Sequence, residues 1–192
     1  RMHRTAPLAR GFRPFFLLAG LHGLVAMGVW AGILHLDPAR LAAFPGGAMG
    51  WHAREMVLGY APAVVAGFLL TAVENWTGRE TLRGRPLGAL ALVWLVARLA
   101  APAGEVGLAV SVAADLVLLA GLFVVLWRPV AGVRQWRQAG ILAKVALLGF
   151  SHALWAAGAL GGQAGVQQAG LLSALWLRER RRYNTPQKLD QC

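Results

Sequence analysis

This sequence predicts an all-α fold, a polytopic bundle of about six transmembrane helices over residues 1–177, and three observations carry that reading. Hydrophobic residues make up 57% and charged residues only 14% of the 192 residues, whereas a soluble domain is roughly half apolar and about a quarter charged. The apolar residues gather into runs long enough to cross a hydrocarbon core of about 30 Å, and mean hydropathy is +0.54. The third observation is where charge falls. Nineteen Lys and Arg stand against eight Asp and Glu, a net charge of +11, and the basic residues lie almost entirely between the runs. Positive charge so placed sets topology and meets the anionic lipid of a bilayer, so no nucleic-acid partner is expected.

The runs cover residues 15–36, 56–73, 87–103, 106–127 and 139–160, with a shorter sixth at 164–177 that carries Gln167 and Gln168. All are read as helices, because an open sheet leaves its backbone unsatisfied in lipid and the ten-residue alternation of an outer-membrane barrel is missing. The basic N-terminal stretch leads into a run of about twenty apolar residues with no A-x-A cleavage site, which reads as a retained first span rather than a signal peptide. In the second run, Met56 to Val73 is eighteen residues without a charge, about 27 Å at helical rise. Pro62 within it is expected to bend the helix. Gly28 and Gly32 form a GxxxG, and Gly59, Ala63 and Gly67 a small-residue stripe, the spacing that lets membrane helices approach closely. With the N-terminus inside and six crossings, fifteen Lys and Arg lie inside and two, Arg40 and Arg54, outside. That distribution places both termini in the cytoplasm and supports the sixth span. Residues 178–192 form a basic polar tail. It ends at Cys192, the single cysteine of the chain, which excludes an intrachain disulfide and a Cys-based metal or iron–sulfur framework.

Charge inside a span needs a partner. The third and fourth runs are joined by a tight hairpin at AAPAGE, from which Arg98 is about six and Asp115 about eleven residues deep. The depth difference is about 7 Å at helical rise, within reach of an arginine, and a structural ion pair is expected. Lys144 lies close enough to its span end to snorkel. Four histidines are candidate ligands. His22 and His152 lie within the bundle as cofactor candidates, about 10 Å apart in depth, which suits two axial positions on one haem only with a tilted helix. His35 and His52 fall at the outer surface, and Met56 follows His52 by one helical turn, so these three form the candidate metal site. Imidazole suits haem iron and copper, and thioether sulfur suits Cu(I). No P-loop, HExxH, c-type haem or Ser-His-Asp pattern is present, and nothing assigns catalytic residues or an enzymatic activity.

At GFRPFFLLAG (11–20), WHAREMVLGYAPAVVAGFLLTAVENWTGR (51–79) and PLGALALVWLVARL (86–99) the sequence resembles the NnrS family. The resemblance implies a polytopic protein of the bacterial inner membrane, carrying haem and copper and acting in denitrification and the response to nitrosative stress, with nitric oxide or another small gas as ligand. It implies that His52, Glu55 and Met56 are the metal or haem end of the second span and that Asn75, Trp76 and Thr77 are its other end. Phe12, Arg13 and Pro14 match the family's start and equally suit an interfacial anchor. Two departures stand out: Arg54 occupies a position where the family commonly has a second histidine, and the chain corresponds to the first half of a family of about twelve spans. Self-association or a partner chain supplying the other half is therefore an expected partnership.

Other classes stay open beside this one: a metal-free transporter or interaction module using Arg98, Asp115 and Lys144, and a nonfunctional fragment. Inverted half-repeats and paired broken helices, which mark many transporters, are not evident. The topology is directly testable. A C-terminal fluorescent-protein fusion is expected to fluoresce and a C-terminal alkaline phosphatase fusion to be inactive; the opposite pair of results places the C-terminus outside.

Overall fold

The computed structural model describes residues 12–36, 47–133 and 138–179, and these are helices joined by short turns, with no strand among them. The N-terminal eleven residues, the loop with Arg40, Arg134 and Arg137, and the tail beyond residue 179 with Cys192 lie outside the described residues. Helix α1 (Phe12–Leu36) is followed by one rod in three parts: α2 (Gly47–Arg54), a π-helical segment (Glu55–Tyr60) and α3 (Ala61–Thr77). Then come α4 (Arg85–Ala100), α5 (Gly104–Gly132), α6 (Ala139–Leu160) and α7 (Ala164–Glu179).

Four helices are long and apolar enough to cross a membrane: Phe12–Gly32, Met49–Thr77, Gly104–Gly132 and Ala139–Leu160. Helices α4 and α7, at 16 residues each, extend about 24 Å at helical rise and fall short of that length. The run expected over 87–103 stops at Ala100 because Pro102 has no N–H with which to continue the ladder, and Gly104, at φ 73, reverses the chain into α5. The second span begins earlier than its uncharged run, at Met49 rather than Met56. Arg54 and Glu55 are therefore inside it, which corrects the placement of Arg54 in an outer loop and of Glu55 at a membrane exit.

The bend expected at Pro62 takes the form of the π segment. Pro62 cannot donate to the carbonyl four residues back, and its ring crowds that turn. A wider turn ahead of it relieves both demands: the Ala61 N–H donates to the Met56 carbonyl, five residues back, the register of a π-bulge.

The rod and α5 are the centre of the bundle. The rod packs on α1, on α5 and, through its π segment, on α7, while α5 also meets α4 and α6. Two apolar clusters form. One joins Phe15, Leu70, Leu87, Trp94, Leu118, Leu122 and Leu126; the other joins Leu58, Leu108, Val112, Trp155 and Ala174. Outside, Leu17, Leu24, Leu99, Val106, Phe150 and Leu172 are each at least 60% exposed. So much apolar surface is a liability in water, but it is the face that a helix turns to acyl chains.

Small residues matter where backbones touch. A Cβ on Gly158 would lie 2.2 Å from the Gln167 backbone nitrogen, and one on Gly170 would lie 2.4 Å from that of Trp155, so α6 and α7 meet almost backbone to backbone. Ser173 Oγ donates to Ser151 Oγ across the same contact, at 2.8 Å. In the stripe of the second span, a Cβ on Gly67 would sit 3.1 Å from Phe15 Cβ on α1. The GxxxG of α1 is different: no heavy atom lies within 4 Å of a Cβ placed on Gly28 or Gly32, so its small residues bring no described helix closer. Accordingly, Gly170→Val is expected to lower the detergent unfolding midpoint by at least about 1–3 kcal/mol equivalent. Gly28→Val should change it by less than about 0.5 kcal/mol, both read by SDS titration followed by circular dichroism.

Candidate functional site

Five elements deliver ionisable side chains to one place. Helix α1 supplies His22, the junction of α2 with the π segment supplies Arg54 and Glu55, α4 supplies Arg98, α5 supplies Asp115 and α6 supplies His152. Ser111 and Asp115, four residues apart on α5, share a face. Arg54 and Glu55 are consecutive, a spacing that normally sends side chains in different directions around a helix, yet each is only 4% exposed. The change from α to π winding falls between them.

The four charges form a ring. Arg54 Nη1 donates to Glu55 Oε1, Arg54 Nη2 donates to Ser111 Oγ at 2.6 Å and lies 3.9 Å from Asp115 Oδ2. Arg98 Nη2 donates to Asp115 Oδ2, and its Nη1 lies 3.5 Å from Glu55 Oε2. Each arginine thus faces both carboxylates, and each carboxylate carries one imidazole: His22 Nε2 is 3.2 Å from Glu55 Oε2, and His152 Nε2 is 3.0 Å from Asp115 Oδ2. The ring sits between the two apolar clusters. Arg98 lies 5.8 Å from the Trp94 ring centroid and Arg54 lies 5.1 Å from that of Trp155, while His22 meets Trp94 edge-on at 5.4 Å. Two positive and two negative charges cancel, the condition under which such groups can be held away from water.

Gly59 completes the frame. Its carbonyl accepts the Trp94 Nε1–H at 3.0 Å, and a Cβ there would fall 2.0 Å from Arg98 Nη1. Glycine at this place in the π segment is what allows the guanidinium to lie against the second span.

Of the residues singled out in the sequence, Arg98 and Asp115 are paired, and His22 and His152 join the same ring at opposite carboxylates. His52 is apart from it, stacked on Trp30 with ring centroids 4.5 Å apart. His35 is exposed, and Met56 is half-buried in the π segment. Among the described residues, no group of three or more His, Cys, Asp or Glu could hold a metal ion. Lys144 is exposed on α6, as are Asn75 and Trp76 at the end of α3, and Thr77 Oγ1 donates to the Val73 carbonyl. Arg13 lies over the Phe12 ring at 5.9 Å, an aromatic and basic pairing suited to the membrane interface. Sequence reasoning missed Arg54 as a member of the ring. Its signal was the adjacent Glu55, an acidic neighbour on a helix that must bury both.

Several polar atoms of the cluster are buried without a hydrogen-bond partner in the protein: His22 Nε2, Arg54 Nε, Arg98 Nε and Nη1, Asp115 Oδ1, His152 Nδ1 and Trp155 Nε1. Each such group costs about 1–3 kcal/mol if nothing meets it. His52 Nδ1 and Trp30 Nε1 are in the same condition at their own stack. The buried imidazole nitrogens without a hydrogen bond in the protein are therefore His152 Nδ1, His52 Nδ1 and His22 Nε2, the last lying 3.2 Å from Glu55 Oε2. A donor set of single imidazoles suits haem, whose porphyrin supplies the other ligands, or low-coordinate copper, rather than a site of three or four protein ligands.

The family model described as NnrS protein matches residues 6–178, a segment that contains every member of the ring. No curated protein and no solved structure matches the chain.

The ring makes an energetic prediction. Arg98→Met leaves Glu55 and Asp115 to share Arg54 alone, stranding negative charge, and should cost about 3–5 kcal/mol of stability. Adding Asp115→Asn to it should recover part of that loss, because one of the stranded charges is removed. Equal unfolding midpoints for the single and double variants would show that Arg98 and Asp115 are not coupled.

Proposed function

We propose, for a chain that belongs to the NnrS family, the role of an integral inner-membrane protein that carries haem or copper and acts in the response to nitric oxide and nitrosative stress. The observation that carries this reading is the state of His152. It is fully buried, its Nε2 is held by Asp115, and its Nδ1 has no partner in the protein. A ligating imidazole is oriented in this way, with one nitrogen fixed by a carboxylate and the other free for the metal. His22, 3.2 Å from Glu55 on the other side of the ring, is the second residue that would hold such a group. His52, with an unpartnered Nδ1 and Met56 one turn on, is the candidate for copper. When bound, such a group supplies a site for a diatomic ligand or for transfer of one electron. The chain's own part is to present imidazoles in a fixed orientation and keep the surroundings apolar.

The same proposal includes six crossings with both termini cytoplasmic. α4 and α7 pack along α5 and α6 respectively, and shorter spans are accommodated by local thinning of the bilayer or by neighbouring helices. Lipid and a small gas are then the partners.

A second reading, a metal-free protein that moves protons or ions, is favoured by one observation: the ring is a set of titratable groups in the membrane interior, of the kind that lines such paths. The visible spectrum separates the two. Detergent-solubilised chain is expected to show a Soret band or stoichiometric copper. His152→Ala should lower the haem content at least tenfold, and His52→Ala should lower the copper content similarly. A colourless, copper-free chain would leave the second reading.

A further inference from the structure

We propose that the ring borders a hydrated site within the bundle, a place where water molecules are held by Arg54, Arg98, Asp115, His152 and Trp155. This rests on the ring's hydrogen-bond inventory and does not depend on the metal reading above.

The unpartnered atoms belong to residues that touch one another. Arg54 lies over Trp155 and faces Asp115; Asp115 holds Arg98 and His152; and His152 and Trp155 are three residues apart on α6, on one face. All five residues are at least nine-tenths buried. Their unpartnered atoms are four N–H donors (Arg54 Nε, Arg98 Nε, Arg98 Nη1 and Trp155 Nε1), one carboxylate acceptor (Asp115 Oδ1) and His152 Nδ1, which serves as either. Left unmet, six such groups would cost as much as the whole net stability of an ordinary fold. Native structures meet buried groups of this kind with internal water, and a water needs two to four polar partners, which this cluster offers.

The ligand class follows from the charge. An anion would accept from all four donors, but the ring is already neutral: Glu55 and Asp115 balance the two arginines, and Asp115 Oδ1 would face the anion directly. A neutral molecule that both accepts and donates fits donors and acceptor together, and water is the smallest.

Arg98 is two residues from the end of α4 and Asp115 eleven residues into α5, and the two side chains meet directly, so the unpartnered atoms gather at one level of the bundle rather than along its length.

Two tryptophans provide the test within one molecule. Trp94 and Trp155 are 1% and 0% exposed, but the Trp94 N–H is satisfied by Gly59 and that of Trp155 is not. Hydroxyl radicals generated by X-ray radiolysis label side chains beside bound water. In the detergent-solubilised full chain, Trp155 is expected to be labelled several-fold faster than Trp94, and a rate at or below that of Trp94 overturns the proposal. Substitution gives a second readout. Trp94→Phe and Trp155→Phe each remove an indole N–H and similar volume. If water meets the Trp155 N–H, Trp155→Phe lowers the unfolding midpoint as Trp94→Phe does. An unchanged or raised midpoint for Trp155→Phe means that the donor was unmet and the site dry. Should Trp155→Phe fail to fold, the labelling ratio on the unmutated chain decides.

Discussion

The organisation of this bundle turns on the neutralisation of four buried charges. Glu55, Arg54, Asp115 and Arg98 come from three different helical segments, and none could be held where it is without the others. In a medium of low polarity an isolated charge is costly, whereas a closed ring of alternating sign places each member between two of opposite charge. The helices that carry the ring are thereby fixed in register as well as in proximity.

The second span is shaped to serve that ring. Pro62 displaces the hydrogen-bond ladder, the π segment accommodates it, and the altered winding turns Arg54 and Glu55 inward together. Gly59 in the same segment gives Arg98 its space and Trp94 its acceptor. The local irregularity and the polar cluster are thus one feature, in keeping with the tendency of π-bulges to occur at functional sites. On the far side, the close contact of α6 with α7 through Gly158 and Gly170 supports the face of α6 that carries His152 and Trp155. The imidazole is positioned by Asp115 and the helix by its neighbour.

The polar cluster is also where the chain departs most from a plain membrane bundle. Elsewhere the interior is Leu, Val, Ala and Phe, and the exterior is equally apolar. Two histidines stand at opposite carboxylates of the ring, His22 at Glu55 and His152 at Asp115.

Much of this was legible in the sequence. Composition and run length determine an all-helical membrane protein, because no other structure satisfies a backbone in lipid. Hairpin arithmetic brings Arg98 and Asp115 to neighbouring depths, and the motif around Trp51 to Arg79 marks the second span as the place to look. Span limits read from charge alone misled at Arg54 and Glu55, since a charge that ends a run in a linear count can lie within a helix when its partner is on another one. The contact of His22 with Glu55, the separation of His52 from the ring, and the idle GxxxG of α1 were decided by tertiary structure. Helical periodicity states which residues share a face but not which neighbour that face meets. The sequence by itself determined what kind of molecule this is; packing decided which buried charges cancel, because cancellation depends on distances between spans that no single span encodes.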